Sequence, residues 1–441
     1  MANIYNFSRN ALLRRIGLTP GKRLLIFLIS ITALTIPMGY VYNSVAVILF
    51  VACSILSVRR QDISIRLSIA LPVALFLLMV LSATWSINAR ESVKALGKEA
   101  SLFFIPLAFI LNPPLNRRSV DIILKNYSLG MCFVGVFLIL RALFRYISTG
   151  NVDVFFYHEL STLDVNAIYL SALFSLAFVI FMAKKTKTFW GYGAMGFLML
   201  LIILLSSKNL ILINIGLIIV YYVLFSGFST RAKITSAISL IGVFAILGFY
   251  TKIHERFVHE LQTDNSGHDS FHHVTLKEAA TREKFNENCY FNGTAFRVYQ
   301  VRVFKELITQ EPIFFTGYGL SGSKIKIEEK GQEHNLYQGD GSKIPYTKMN
   351  YHNQYIETFS DLGAFGFIII VAMLFINLKN GIKNKYFIQI AFATLMISVF
   401  LTESFLWRQR GVVFFTLFYC LFNDMQPLTK GLRRMAKPHA A

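Results

Sequence analysis

The sequence predicts an all-α integral membrane protein of about twelve transmembrane helices. One large, partly helical loop outside the cytoplasm separates the ninth from the tenth. Three observations carry that expectation. The chain is 54% hydrophobic and only 15% charged, with a mean hydropathy of +0.52, and a soluble domain cannot bury so much apolar surface. Apolar runs long enough to cross a hydrocarbon core, about 17–25 residues, recur along it. A polar stretch from Thr251 to Ser360 interrupts them late in the chain and holds His254, His259, His268, His272, His273, His334 and His352.

The apolar runs fall at 24–40, 44–58, 67–85, 95–111, 120–145, 167–183, 189–206, 209–227, 234–250, 361–378, 386–403 and 411–425. The second and last are short and call for tilt or a partly re-entrant path. The chain therefore divides into residues 1–250 with nine spans, 251–360 as the large loop, and 361–441 with three spans and a tail. There is no internal repeat and no pair of Gly/Pro-interrupted spans of the kind that marks many transporters.

A net charge of +20 raises the question of nucleic acid, and its distribution answers no. Basic residues cluster in alternate connections: Arg14, Arg15, Lys22 and Arg23; Arg59, Arg60 and Arg66; Arg117 and Arg118; Lys184, Lys185 and Lys187; Arg231 and Lys233; Lys379, Lys383 and Lys385; Arg433, Arg434 and Lys437. That is the positive-inside pattern. It puts both termini in the cytoplasm, as an even number of spans requires, and the long loop on the other side. The run after Arg23 reads as a retained anchor, because no small-residue cleavage site follows it. Cys53, Cys132, Cys289 and Cys420 are dispersed and have neither disulfide-framework nor zinc spacing.

The outward connections are a mixed-charge segment at 86–99, a segment at 146–166 with Asp153, His158, Glu159 and Asp164, a tight turn Ser206-Ser207-Lys208-Asn209, the long loop, and a last one with Glu403, Arg408 and Arg410. Basic groups on this side need a reason, and an anionic lipid headgroup is one. Within the long loop, Thr294–Ile308 predicts a helix with Phe296, Tyr299, Val303 and Leu307 near one face, capped by Thr294 with Arg297 in its first turn. Glu311-Pro312 ends it and Gly317-Tyr318-Gly319 follows as a turn. Residues 323–349 read as an exposed Lys-rich loop. Residues 351–360 read as a short helix at the membrane surface, with His352, Tyr355, Ile356 and Phe359 on one face.

The order of these features resembles the bacterial O-antigen ligase superfamily, which also holds O-antigen polymerases and protein O-oligosaccharyltransferases. The features are a basic residue after a Ser-rich turn between spans, Gly293-Thr294-Ala295-Phe296-Arg297 opening a helix, Pro312 with Gly317-Tyr318-Gly319, and His352-Asn353-Gln354-Tyr355 with Gly363 and Gly366. Thr402-Glu403-Ser404 with Arg408 and Arg410 adds to the likeness, which covers roughly the second half of the chain. The resemblance implies a metal-independent, GT-C-like glycosyltransferase with no cofactor. Its donor would be an undecaprenyl-diphosphate-linked glycan, used at the periplasmic face of the bacterial inner membrane.

The residues support that chemistry on their own terms. A diphosphate leaving group needs charge neutralisation, which Arg or Lys supplies through charge-assisted hydrogen bonds. A sugar hydroxyl needs a positioned base, and neutral imidazole suits that near pH 7. His352 is the candidate base, against the reading of a histidine merely satisfied at a membrane interface. Arg297 is the candidate diphosphate contact, against a solvated helix face, with Arg302 as its rival. Lys208 stands where relatives commonly carry Arg, so it keeps the charge without the bidentate fork; a snorkelling span-end lysine is the alternative. Arg408 and Arg410 could share its task. His158 and Tyr355 are candidate contacts to sugar or acceptor. His268, His272 and His273 with Asp269 invite a metal reading, but the segment reads better as solvated loop, and no Asp-x-Asp pair occurs.

These readings converge on a ligase that transfers the glycan to lipid A-core, with membrane lipids as further partners. A polymerase or a protein O-oligosaccharyltransferase shares the motifs. A polysaccharide or lipid transporter explains the spans but not the loop that ends at His352.

Overall fold

The computed structural model describes residues 22–162, 165–184, 188–205, 207–227, 272–286, 288–339 and 345–426. The expected ninth span (234–250), Arg231, Lys233, His254, His259, His268 and the basic tail lie outside the described residues. The membrane half comprises α1 (Lys22–Thr35), α2 (Tyr40–Ser57), α3 (Leu67–Ser82), α4 (Ala89–Glu99), α5 (Ser101–Ile110), α6 (Arg117–Thr149), a one-turn α7 (Tyr157–Leu160), α8 (Ala167–Met182), α9 (Phe189–Leu204) and α10 (Lys208–Val220). A polar cap follows with α11 (Leu276–Thr281), α12 (Gly293–Gln310) and α13 (Ser323–Glu333). Three helices close the chain: α14 (Gln354–Lys383), α15 (Phe387–Thr402) and α16 (Gln409–Asn423).

The architecture is all-α among the described residues except for two-residue strands, β1 (His272–His273) paired parallel with β2 (Cys289–Tyr290). Among the described residues, four segments are long and apolar enough to cross a membrane: Tyr40–Ser57, Arg117–Thr149, Lys208–Phe225 and Gln354–Lys383. The apolar helices α3, α8, α9 and α15 are shorter. The expected fourth run, 95–111, is in fact shared by two helices. Its first residues belong to the mixed-charge α4, and only α5 is uniformly apolar.

Helices α8 and α16 are buried almost all round, as helices without a polar face must be. Phe392, Phe414, Phe415 and Phe418 interlock between α15 and α16. Polar side chains inside this bundle bond to one another. Asn214 donates to Ser175 (2.7 Å), and Gln389 and Asn423 both donate to Asn377 Oδ1 (3.0 and 3.1 Å). In an apolar surround such bonds tie helices together.

The two ends of the bundle make different contacts. At one, Arg66 donates to the Asp424 carbonyl (2.7 Å), and Arg117 lies over the Tyr386 ring, 4.0 Å from its centroid. At the other, where α3 ends and α8 begins, the polar cap is seated. Leu320 N donates to Ser82 Oγ (3.0 Å) and Ile87 N to the Tyr318 carbonyl (3.1 Å).

The cap has its own core of Phe285, Phe291, Phe296, Tyr299, Val303, Leu307, Ile327 and Tyr351. Helix α12 matches the expected element but is capped one turn-position earlier. Asn292, not Thr294, accepts from the backbone amides of Thr294 and Ala295, which moves Arg297 out of the first turn. Residues 323–349, expected as an exposed loop, contain α13 and a turn at Tyr346–Lys348. Ile327 and Leu336 are buried there because α12 offers them an apolar face.

One break decides how cap and bundle meet. Gly363 interrupts α14 with φ +65° and ψ −164°. The carbonyls of Ser360 and Asp361 are then bonded by the amides of Tyr318 and Gly319 (both 2.8 Å), and Ala364 N reaches the Phe314 carbonyl (2.8 Å). The Gly317-Tyr318-Gly319 turn thus docks on backbone groups that the break releases from the helix ladder. A Cβ at Gly363 would lie 2.2 Å from the Phe315 carbonyl oxygen, so both the torsion and the space demand glycine.

Candidate active site

The C-terminal end of α15 is where Arg297, Asn209 and His352 meet. Arg297 donates to the Thr402 carbonyl through Nε (3.0 Å) and one terminal nitrogen (2.9 Å), and to the Gly293 carbonyl through the other (2.9 Å). It neutralises the carbonyl end of α15, a favourable place for a cation. A guanidinium has five N–H donors; three are used here, which leaves two for a ligand.

Asn209 reaches the same place from α10. Its Nδ2 donates to Thr402 Oγ1 (2.8 Å) and to the Ser398 carbonyl (3.0 Å), and Ser398 Oγ donates back to Asn209 Oδ1 (2.6 Å). Lys208 is the neighbouring residue and the first of α10, so its ammonium stem starts from this junction.

His352 arrives from the third direction. It has φ +48°, a left-handed torsion that a non-glycine residue adopts only under constraint. Asn350 Oδ1 accepts from its amide (3.1 Å). Asn353 caps α14 immediately after it, accepting from the amides of Tyr355 and Ile356 (3.0 and 3.1 Å). The imidazole Nδ1 lies 3.4 Å from Glu403 Oε2, and its ring meets Phe296 edge-on at 6.0 Å. A carboxylate at Nδ1 favours the tautomer with the proton there, which leaves the Nε2 lone pair to accept one. Thr402 and Glu403 are adjacent, so one short segment is shared by the arginine, the imidazole and the residue after the lysine.

The remaining candidates are placed elsewhere or serve the frame. Arg302 lies five residues from Arg297, about 140° round the helix at 100° per residue. It donates to Glu306 Oε1 (2.7 Å) and to the Arg282 carbonyl, and lies 3.4 Å from His334 Nε2, inside the cap. Tyr355 donates to the Ile397 carbonyl (3.1 Å) and fastens α14 to α15. Arg410 is buried, donates to the Met38 carbonyl (2.6 and 3.1 Å) and covers the Tyr40 ring at 4.2 Å. Arg408 is exposed at the start of α16. The His158 ring lies tilted against Tyr157, centroids 3.9 Å apart, beside the Arg145–Glu159 ion pair. His272 bonds Glu278 (2.9 Å) and His273 packs against Tyr290. Among the described residues, no three His, Cys, Asp or Glu side chains are grouped to hold a metal.

Sequence reasoning gave no role to Glu403, Asn209 or Glu357. The signal for Glu403 was present: a carboxylate at the end of an apolar span, in the same short connection as Arg408 and Arg410. Behind the site is a cavity of about 40 Å³ whose lining includes Lys98, Glu99, Gln354, Glu357, Asp361 and Trp407.

One cation, Arg297, and the His352 imidazole thus meet at one helix end, with the Lys208–Asn209 turn beside them. Residues 194–371, from within α9 to within α14, match the family model described as O-Antigen ligase. The match contains Lys208, Arg297 and His352, and it supports membership of the O-antigen ligase superfamily, whose members are glycosyltransferase-like ligases and polymerases. No curated protein matches the chain.

Proposed function

We propose that this protein is a ligase-type glycosyltransferase that moves a glycan from undecaprenyl diphosphate to lipid A-core. The single observation that carries the reading is the convergence of Arg297, His352 and the Lys208–Asn209 turn on Thr402 and Glu403. In this reading the acceptor hydroxyl gives its proton to His352 Nε2 as its oxygen attacks the anomeric carbon. The bond from that carbon to the diphosphate breaks, and the diphosphate leaves with both electrons. Arg297 and Lys208 balance its charge, as fixed cations do most effectively where water is scarce. Cations already in place remove the need for a metal. One direct displacement inverts the anomeric centre; a covalent glycosyl-enzyme would refute this mechanism.

The same reading puts about twelve GT-C-like spans in the bacterial inner membrane, both termini in the cytoplasm and the active site in the periplasm. The alternation of basic connections along the sequence supports it. The test is transfer by purified protein from a lipid-diphosphate-linked glycan to lipid A-core, to a second lipid-linked repeat, and to a Ser/Thr peptide. Product on lipid A-core alone supports the ligase; product on the second or third acceptor replaces it with a polymerase or a protein O-oligosaccharyltransferase.

A further inference from the structure

His352 and Glu403 are held by segments far apart in the chain, and one buried oxygen joins the residues that flank them. Glu357 is in the early part of α14, five residues after His352, and only 4% exposed. Its Oε2 accepts from the backbone amide of Tyr351 (3.2 Å) and from Ser404 Oγ (3.1 Å). Tyr351 is the residue before His352, and Ser404 is the residue after Glu403. The bridge therefore fixes the spacing of the imidazole-bearing and carboxylate-bearing segments from behind. Neighbouring bonds grip the same stretch: Asn353 donates to the Leu401 carbonyl (3.2 Å), and Leu406 N donates to Gln354 Oε1 (2.7 Å). Of these only the Glu357 bond reaches both flanking residues. The left-handed torsion of His352 needs such outside support.

The geometry points to Glu357 as a positioning residue that holds the His352 imidazole against Glu403 by tying Tyr351 and Ser404 to one carboxyl oxygen. The inference rests on His352 being the base proposed above, but its spatial part can be tested apart from that reading. The bridge needs an acceptor oxygen, not a charge. Glu357 Oε1 has no hydrogen-bond partner among the described residues, so a glutamine can turn its carbonyl oxygen to the bridge and its amide toward the cavity.

The experiment combines imidazole ¹⁵N resonances with turnover, on full-length protein in lipid nanodiscs. In the wild type, His352 should show one dominant neutral tautomer with the proton on Nδ1. Glu357→Ala should mix the tautomers and lower kcat by at least about tenfold, with the donor KM changed less than about twofold, since Arg297 and Lys208 are untouched. Glu357→Gln should keep the wild-type spectrum and stay within about threefold of its kcat. If Glu357→Ala does not fold, Ser404→Ala removes one arm of the bridge and should give a smaller change in the same direction. A wild-type spectrum and rate in Glu357→Ala, or equal damage in the alanine and glutamine variants, overturns the bridge. If the spectra behave as stated while His352→Ala still turns over, the bridge stands and the base assignment falls.

Discussion

The imidazole Nδ1 of His352 lies 3.4 Å from Glu403 Oε2, across a chain separation of 51 residues. The two groups stand at the start of one helix and just past the end of its neighbour. Their pairing orients a ring whose other nitrogen is available, an arrangement in which the carboxylate sets geometry and tautomer while the imidazole moves the proton. His352→Ala should reduce transfer by about 10²–10⁴-fold, the usual worth of a general base, with the protein still folded in the membrane. Glu403→Gln should lower kcat less and leave donor KM unchanged. Single-turnover rates in nanodiscs measure both, and retained turnover in His352→Ala removes it as base.

Arg297 caps α15, and the proposed function gives it a second task as a donor contact. Arg297→Ala should weaken donor binding and also cost about 1 kcal/mol of stability from the lost cation at a helix C-terminus. Arg297→Lys should recover part of the charge but not the two-nitrogen grip on Thr402. Donor affinity by direct binding separates the roles. An alanine variant that loses stability but binds donor normally confines Arg297 to the frame.

Gly363→Ala tests the seat of the cap. The substitution meets a backbone oxygen at 2.2 Å and a left-handed torsion together, and it should destabilise by at least about 2 kcal/mol. Thermal unfolding in detergent reads the loss; a melting point within one degree of wild type would show that the break is not needed.

His334 gives the cap a pH dependence. Burial pushes its imidazole below the usual histidine range; Glu306 opposes the shift and Arg302 reinforces it. The unfolded chain then binds the proton more readily than the folded cap. Stability is full above the ordinary histidine pKa of about 6.5 and declines as pH falls below it. Limited proteolysis of the cap between pH 7.5 and 5 should show this. In His334→Gln the slope should flatten, and an unchanged slope assigns it to other groups.

Chelation gives a further test. If Arg297 and Lys208 supply the positive charge, EDTA should leave the transfer rate unchanged. An activity lost to chelator and restored by a divalent ion would require a metal in the mechanism.

The sequence by itself determined the helical, apolar character of the chain, the alternation of its basic connections and the order of the motifs. Hydrocarbon forces that legibility. A crossing segment must satisfy its own backbone and show an apolar run of fixed length, so each span is written locally. The α12 helix was legible for the same reason, as its apolar face repeats within itself. The neighbouring α13 was not, because its Lys-rich surface hides the few positions, such as Ile327, that pack on another element. Tertiary structure alone decided the site. Arg297 and Thr402 are 105 residues apart, and Asn209 and Thr402 are 193 apart. Arg297 and Arg302 look equivalent in the sequence, but helix rotation sends one to the end of α15 and the other into the cap. Glu357 carried no local signal, and the span-end position of Glu403 did not name its partner, since each takes its meaning from a contact that only the packing of α14, α15 and α16 supplies.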